Sequence, residues 1–358
     1  MNILQLNFER GWRGGERQTM LSMRQFRAAG HEVSLLARSG GELAARARQE
    51  GFTVHEYATA AGVCGFLLRK GRLYDILHAQ TANMMTWLAV CRPWLRRARV
   101  VFTRRTAFPV SAAKEQRTAW KWRRADALVA ISQAAAEEPR RLGLPTCVIP
   151  SAIEAKPVDQ AHVNAFAREF NPSGKRVLAT AAALTSEKDP CTLLRAVHSL
   201  SQRRDDFVFL HLGAGGDAES PARELWRELG LERHYVFAGF QSGIEDIYRL
   251  MDVFVLSSRH EALGTSVLDA FLYSVPVVST DAGGLKESLA DGRGLLCPVG
   301  DHEALALAMD QALSDPGLRA AMVEKARDYV LRKHDAHGMA ERYLAEYRRV
   351  LDPGQEAV

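Results

Sequence analysis

Two carboxylates flank a small polar trio in the segment RHEALGTSVLDAF, and together they could bind a charged ligand that carries hydroxyls. Glu261 precedes a predicted helix, and Asp269 lies one turn inside it. The first turn of that helix contains Gly264, Thr265 and Ser266. Because unpaired N–H groups at a helix start attract anions, the pattern favours a ligand with phosphate in the middle and hydroxyls at both ends, such as a sugar nucleotide. The alternative is a helix capped by Thr265 that carries two incidental acids.

Two other segments offer groups that suit a phosphate. Lys188, in AALTSEKDP, stands between a predicted strand and a helix start, where lysine suits a diphosphate as a point charge. Gly14 and Gly15, in ERGWRGGERQ, allow the backbone to approach a phosphate closely. An exposed helix-start lysine and a simple turn are the alternatives. The segment LGAGGDAES is similar to a dinucleotide fingerprint, but the next strand, VFAGF, lacks the acid that a nicotinamide site needs.

Short apolar runs alternate with longer helical patterns, which predicts parallel sheets covered by helices. The first series of predicted strands reads NILQLNF, HEVSLLA, DILHAQ, ARVVFTR, ALVAIS and TCVIPSA. The second series reads RVLATAAAL, FVFLHLGAG, HYVFAGF, VFVLSS, PVVSTD and GLLCPV. The sequence therefore predicts an α/β protein with two Rossmann-like, doubly wound domains that face a cleft.

The two series are separated by the loosely patterned stretch EAKPVDQAHVNAFAREFNPSGK, where we place the domain boundary. The predicted N-terminal domain comprises residues 1–155 plus 335–358, and the predicted C-terminal domain comprises residues 172–334. The chain from about Asp301 to Arg349 is predicted to be helical. Its last helix, AHGMAERYLAEYRRV, is long enough to cross back and pack across both domains.

The composition is that of a globular protein that can bury large cores, with 47% hydrophobic and 25% charged residues in a chain of 358. The first residues lack the features of a secretory signal, and no run of about 18 apolar residues predicts a membrane span. Five cysteines are scattered without a C-x-x-C pair, which favours reduced thiols over a disulfide or zinc framework. We therefore expect a cytoplasmic protein.

Positive charge is concentrated in the first half of the chain. Residues 1–150 contain 24 basic and 11 acidic side chains, whereas the remainder contains 23 basic and 31 acidic ones. Residues 92–124 hold eleven Lys/Arg and one acid, interleaved with Trp94, Trp120 and Trp122. This pattern is compatible with a membrane surface or an anionic acceptor as partner. A solvated basic face is the alternative, and nucleic acid is disfavoured.

One long segment, SSRHEALGTSVLDAFLYSVPVVSTDAGGLKE, resembles the E-x7-E segment of the retaining family 4 glycosyltransferases, which have the two-domain GT-B fold. The resemblance extends along the chain through RGGERQ, GHEVSLLA, HAQTAN, RRADALVAISQA, VIPSAIE, ALTSEKD, LGAGGDAE, YVFAGF and GLLCPVGD. These short segments occur in the order and approximate spacing of the family. Each is weak alone, but the ordered set is specific.

The resemblance implies a donor site in the C-terminal domain. Glu261 would contact hydroxyls of the donor hexose, Asp269 the nucleotide ribose, and Lys188 the diphosphate. The full set of implied donor contacts is Gly14, Gly15, Lys188, Gly239, Phe240, Glu261, Leu263, Gly264, Thr265, Ser266, Val267 and Asp269. The base would lie against the backbone near Gly239 and Phe240. The family needs no metal or cofactor, and no D-x-D motif occurs here, so cations and helix amides must meet the charge of the leaving nucleotide.

The sequence departs from the family pattern at three places. Asp269 replaces the usual glutamate and is one methylene shorter. Ala183 stands where the family often has an arginine that would bind the diphosphate. In VVFTRRTAF, two arginines stand where many members have a histidine. We predict acceptor contacts at His78, Gln80, Arg104 and Arg105, and catalytic roles for Glu261, Lys188 and Arg105.

Taken with the resemblance, the sequence predicts a metal-independent, retaining hexosyltransferase that uses a nucleotide-diphosphate sugar, with UDP as the first choice. The basic first domain would receive a cell-envelope glycan or anionic glycolipid, such as a lipopolysaccharide core, at the cytoplasmic face of the membrane. A sugar-nucleotide 2-epimerase and a non-enzymatic protein that binds anions or membranes are the alternatives.

Overall fold

A computed structural model describes residues 1–95, 97–171 and 173–352. Arg96 in the basic segment, Pro172 at the start of the predicted second domain, and residues 353–358 lie outside the described residues. The chain divides into two compact units. The first comprises Met1–Ile153 and the described residues from Lys333 onward, and the second comprises Glu154–Arg332.

The first unit is built on a seven-stranded parallel sheet with the strand order β3-β2-β1-β4-β5-β6-β7. Its strands are β1 (Asn2–Asn7), β2 (Glu32–Arg38), β3 (Thr53–Tyr57), β4 (Ile76–Ala79), β5 (Arg99–Arg104), β6 (Ala127–Ala130) and β7 (Cys147–Val148). The central strands are buried on both faces, which explains their nearly continuous apolar runs. This order, with the first strand in the middle, is that of a doubly wound sheet.

Helices cover both faces of the first sheet. They are α1 (Gly14–Ala28), α2 (Glu42–Gln49), α3 (Ala60–Lys70), α4 (Ala82–Cys91), α5 (Glu115–Trp122), α6 (Gln133–Arg141) and α15 (Ala336–Leu351). Apolar side chains of α3, α4 and α5 pack on one face, and those of α1, α2 and α15 pack in clusters on the other. The last helix thus returns to the first unit, where Tyr343 and Tyr347 are buried.

Two strands of the first sheet differ from the sequence prediction. The edge strand β3 was not predicted, because the segment TVHEY is short and mixes polar with apolar residues, as half-exposed edge strands do. Conversely, β7 contains only two residues instead of the whole of TCVIPSA. Pro150 lacks an N–H group, so the ladder ends just before it.

The second unit contains a six-stranded parallel sheet with the order β10-β9-β8-β11-β12-β13, and all six predicted strands are found. They are β8 (Arg176–Ala181), β9 (Phe207–Leu212), β10 (Tyr235–Gly239), β11 (Val253–Leu256), β12 (Val277–Thr280) and β13 (Leu295–Cys297). The helices are α7 (Gln160–Phe170), α8 (Pro190–Ser201), α9 (Glu219–Glu228), α10 (Ile244–Ile247), α11 (Thr265–Leu272), α12 (Leu285–Leu289), α13 (His302–Ser314) and α14 (Pro316–Lys333). Helices α8, α9 and α13 share one apolar cluster on the sheet. Right-handed crossovers from β10 to β13 place α10, α11 and α12 on the opposite face.

The second unit begins earlier than the boundary predicted from the sequence. Helix α7, inside the predicted linker, packs against α10. His162 Nδ1 lies 2.8 Å from Asp246 Oδ2, and Val163 and Phe166 of α7 are buried. The stretch looked like a linker because its buried contacts are made with residues far along the chain.

No helix in the described part of the chain is both long and apolar enough to cross a membrane.

Candidate active site

Lys188 and Glu261 meet at the carboxyl edge of the second sheet. Lys188 lies in the loop after β8 and Glu261 in the loop after β11, and these two strands are neighbours. The Lys188 ammonium and the Glu261 carboxylate form an ion pair in which the side chains are 26% and 15% exposed. Ligands bind parallel α/β sheets at this edge, so the structure brings two predicted site residues together where a ligand would be expected.

Hydrogen bonds to main-chain carbonyls hold the two loops together. Ser257 Oγ donates to the Lys188 carbonyl at 2.9 Å, and Arg259 N donates to the Glu187 carbonyl at 2.8 Å. Since these bonds link the backbones on either side of the ion pair, the positions of Lys188 and Glu261 are set by the fold as well as by their charges.

The backbone around Glu261 also packs tightly against the start of α12. The Gly284 N–H donates to the Glu261 carbonyl at 2.9 Å. A Cβ atom at Gly284 would lie 2.1 Å from the Ala262 carbonyl oxygen, which excludes any side chain there. This glycine stands in the DAGGLKE part of the family segment, but no role was predicted for it.

Helix α11 begins beside Glu261 without a side-chain cap among the described residues. Its N-cap is Gly264, which has a φ of 77°, and helical geometry starts at Thr265. The threonine cap considered from the sequence is not formed. The amides of Thr265 and Ser266, in the first turn of α11, therefore have no capping side chain. Such a helix start attracts anionic groups.

Asp269 lies deeper than Glu261. It belongs to the second turn of α11 and is only 3% exposed. The structure therefore does not bring the two carboxylates of the opening segment to the same surface. Leu263 and Val267 are also buried and pack around the start of the helix.

The end of β10 carries two further predicted donor contacts, and the loop after β9 carries the dinucleotide-like glycines. Gly239 has a φ of 72°, and the Phe240 ring is 74% exposed. A Cβ atom at Gly213 would lie 1.9 Å from the Ala182 carbonyl oxygen, so close backbone packing requires this glycine. The dinucleotide-like glycine pattern thus has a structural explanation that needs no ligand.

Asp189 directly follows Lys188 and was not identified from the sequence. It adopts the left-handed conformation at φ 47°, is buried, and caps α8. Its carboxylate accepts hydrogen bonds from Thr192 Oγ1 at 2.8 Å and from Arg259 Nε at 2.7 Å. The Asp189 bond raises the pKa of Arg259. The Asp-Pro pair at a helix start was the available sequence signal.

In the first unit, the two adjacent arginines point in opposite directions. Arg104 is buried, and it donates to the carbonyls of Ala135 at 2.6 Å and Phe108 at 2.5 Å. Burial lowers the pKa of Arg104 to about 10. Its guanidinium lies 5.4 Å from the ring of Trp122, which is itself buried and is not part of an exposed basic face. Because successive strand residues face opposite sides, only Arg105 points towards the α1 side of the sheet.

His78 is fully buried under the sheet edge. Its Nδ1 lies 2.6 Å from Tyr347 Oη, and its Nε2 lies 2.7 Å from Thr103 Oγ1. Burial, with a smaller contribution from the charge of Arg105, lowers the pKa of His78 to about 3, so the imidazole is neutral at physiological pH. The structure therefore gives His78 a place in the core in contrast to the acceptor contact predicted for it.

Gln80 and Arg105 do lie together at the carboxyl edge of the first sheet. Arg105 Nη2 donates to Gln80 Oε1 at 2.6 Å. Gly14 and Gly15 open α1 beside them, and a Cβ atom at Gly15 would lie 3.8 Å from Arg105 Cδ. Three of the predicted first-domain residues, Gly15, Gln80 and Arg105, are thus neighbours.

No cluster of three His, Cys, Asp or Glu side chains is arranged to hold a metal ion within the described residues.

Family models match both halves of the chain. The model described as "Glycosyl transferases group 1" matches residues 164–329, and the model "Glycosyltransferase Family 4" matches residues 12–156. The chain belongs to the glycosyltransferases. The carboxyl-edge site built from Lys188 and Glu261 falls within the first match, and Arg105 falls within the second.

Among the curated glycosyltransferase relatives is the lipopolysaccharide core biosynthesis glycosyltransferase LpsE of Rhizobium meliloti. It is 30% identical over 174 residues, which are 48% of this chain and 50% of that protein. The lipopolysaccharide core biosynthesis mannosyltransferase LpsB of the same organism is 29% identical over 268 residues, which are 70% of this chain and 73% of that protein. The match to LpsE, like those to several other curated relatives, spans about half of the relative's length.

Solved glycosyltransferase structures share the fold over nearly the whole chain. HepE of Anabaena, crystallised in complex with UDP and glucose, matches with a TM-score of 0.86 and 18% identity, covering 97% of this chain and 99% of the other. A glycosyltransferase from Rickettsia africae matches with a TM-score of 0.83 and 20% identity, covering 98% of each chain. Both of these structures have the GT-B fold, with two Rossmann-like domains.

Proposed function

We propose that this glycosyltransferase moves a hexose-type sugar from a UDP-sugar to a saccharide acceptor, with retention of configuration at the anomeric carbon. The observation that carries the proposal is the Lys188–Glu261 ion pair beside the uncapped start of α11. A cation and free amides suit the diphosphate, and an adjacent carboxylate suits the sugar hydroxyls.

In the proposed reaction, the bond between the anomeric carbon and the diphosphate oxygen breaks while the acceptor oxygen bonds to the same face of that carbon. The acceptor proton passes to a phosphate oxygen of the leaving UDP. Lys188 and the first amides of α11 stabilise the negative charge that develops on this phosphate, which lowers the barrier. Glu261 orients the hexose. The proposed reaction uses no metal.

The donor and the acceptor are proposed from the proteins to which this chain is similar. HepE of Anabaena was solved with UDP and glucose, which supports a UDP-sugar as donor. The names of LpsE and LpsB refer to lipopolysaccharide core biosynthesis, which supports a cell-envelope glycan or glycolipid as acceptor.

We also propose that the first unit contacts the cytoplasmic face of the membrane. Trp94 and Trp120 are 64% and 43% exposed, and the Arg124 guanidinium lies 4.7 Å from the Trp120 ring. Helix α4 packs against both α3 and α5, and Val90 on α4 is exposed as well. Aromatic rings with basic neighbours suit an anionic lipid surface.

The proposed activity is tested by screening UDP-, GDP- and ADP-sugars for thermal stabilisation, since a ligand of the folded state raises the melting temperature. The stabilising donor is then incubated with lipopolysaccharide core acceptors, with and without EDTA. We expect an acceptor-dependent product that keeps the anomeric configuration of the donor by NMR, and equal rates with EDTA. Isomerisation of the donor without acceptor would favour the 2-epimerase. Absence of nucleotide-sugar binding would favour the anion-binding protein.

Membrane contact is tested separately by sedimentation with phosphatidylglycerol vesicles. Binding should fall steeply between about 50 and 500 mM salt, because exposed charges are screened. Trp94→Ala should weaken binding, whereas Leu331→Ala, which alters an exposed leucine of the second unit, should not. Binding that is insensitive to salt would contradict the proposed surface.

A further inference from the structure

Arg105 is a partly buried cation whose hydrogen-bond partners are all neutral. Its Nε and Nη2 donate to Gln80 Oε1 at 3.2 and 2.6 Å, and its Nη1 donates to Ser151 Oγ at 3.2 Å. Within the described part of the chain, no carboxylate forms an ion pair with it. A guanidinium has more N–H donors than these bonds use, so donors remain for another acceptor.

The groups behind this guanidinium are neutral as well. Gln80 Nε2 donates to Gln5 Oε1 at 2.8 Å, and His78 contacts Tyr347. With the imidazole and the phenol uncharged, nothing in this layer compensates the positive charge.

Glu16 is the acid whose charge reaches Arg105, but its carboxylate already has other partners. Its Oε2 accepts from Arg13 N at 3.0 Å, and its Oε1 accepts from Asn7 Nδ2 at 3.2 Å. Glu16 therefore closes the start of α1 and leaves the guanidinium of Arg105 without an anionic partner of its own.

Taking a charge out of water is unfavourable unless an opposite charge is present, and proteins keep such arrangements mainly at binding sites. We propose that Arg105 anchors an oxyanion subsite of the first unit, which binds a carboxylate or phosphate group of a sugar substrate. This inference rests on the proposed function for the idea that the ligand is a sugar. The anion itself is inferred from the environment of Arg105.

The surroundings of the subsite are already arranged for an anion. Gln80 and Ser151 hold the guanidinium by two of its edges, which fixes its plane before the ligand arrives. Gly15 presents no side chain towards Arg105, and the 15-residue helix α1 begins at this point. A bidentate oxyanion could therefore approach the guanidinium beside Gly15.

The experiment compares matched ligands by calorimetry and by thermal shift on the full chain. Glucuronate and glucose differ at C6, where one has a carboxylate and the other a hydroxyl; glucose 6-phosphate adds the phosphate, and UDP carries the diphosphate without a sugar. Wild type is compared with Arg105→Gln and Arg105→Lys. Arg348→Met, which removes an exposed arginine from α15 in the same unit, is the control.

We expect wild type and Arg348→Met to bind glucuronate or glucose 6-phosphate at least about tenfold more tightly than glucose, as for a hydrogen bond to a charged group. Arg105→Gln should lose this preference, and Arg105→Lys should keep part of it. If Arg105→Gln weakens UDP and spares the acidic sugars, the oxyanion belongs to the donor diphosphate; the reverse result assigns it to an acidic sugar. Both results support the subsite.

Unchanged affinity of Arg105→Gln for UDP and for both acidic sugars would overturn the inference. That result is independent of the proposed function, because these measurements involve no transfer. Conversely, if the protein does not transfer a sugar from UDP-sugars, it should still prefer acidic over neutral sugars. That preference should still depend on Arg105.

Discussion

The two units place a cation at the carboxyl edge of their parallel sheets, but the two cations differ in how their charge is compensated. Lys188 in the second unit is paired with the Glu261 carboxylate. Arg105 in the first unit is held by Gln80 and Ser151, which are neutral. A ligand of Lys188 must therefore compete with an internal anion, whereas a ligand of Arg105 supplies the missing anion.

The difference shows that a cation at the carboxyl edge of a parallel sheet can be arranged to bind an anion in two ways. An internal ion pair keeps the site stable when it is empty and lowers affinity, because the pair must open. A cation with neutral partners destabilises the empty site and favours any matching anion.

Removal of the paired cation should have the largest consequence. Lys188→Gln should lower kcat/KM for transfer about 100- to 1000-fold, which is typical when a group that stabilises transition-state charge is lost. Steady-state kinetics with the donor found by thermal shift would measure it. Lys325→Gln, at an exposed position of α14, is the control and should remain at the wild-type rate. A loss below about threefold in Lys188→Gln would show that Lys188 does not contact the leaving group.

The backbone around the two cations should tolerate a methyl group very differently. Gly284→Ala should lower the free energy of unfolding by about 3 kcal/mol, because its Cβ would meet the Ala262 carbonyl at 2.1 Å. Gly15→Ala should change it by less than about 1 kcal/mol, since its Cβ would meet Arg105 at an ordinary 3.8 Å in a helix that favours alanine. Urea denaturation measures both. Similar values for the two variants would mean that the Glu261 loop adapts.

Removal of the carboxylate that pairs with Lys188 should have a smaller effect, and it should strengthen nucleotide binding. Glu261→Gln removes the internal anion, so Lys188 becomes available, and the Kd for UDP should fall about fivefold. Transfer should fall at the same time, because the hexose loses a contact. Titration calorimetry with UDP tests this, with the exposed Glu324→Gln as control. Weaker UDP binding in Glu261→Gln would show that the ion pair does not compete with the ligand.

Much of the fold could be predicted from the sequence because it depends on local signals. The six strands of the second sheet follow from apolar runs bounded by turn residues, and Lys188 and Glu261 follow from their positions after such strands. Strand β3 escaped prediction because an edge strand is only half buried. The start of the second unit escaped because the contacts of α7 are long-range.

The candidate site could be predicted only in part for the same reason. Two adjacent arginines look equivalent in VVFTRRTAF, yet one lies against Trp122 and the other at the sheet edge. His78 was predicted to contact the acceptor because the sequence does not reveal that α15, with Tyr347, packs over it. Asp269 was placed on a ligand surface by its spacing, but the packing of α11 buries it.

The sequence by itself determined the alternation of strands and helices, the resemblance to a glycosyltransferase family, and the positions of Lys188 and Glu261 along the chain. Those properties depend on hydrophobic periodicity and turn residues, which act over a few neighbouring residues. The tertiary structure alone decided which charges are paired. The partners of Arg105 are 25 and 46 residues away in the chain, and only the packing of the sheet edge brings Gln80 and Ser151 to it without an acid.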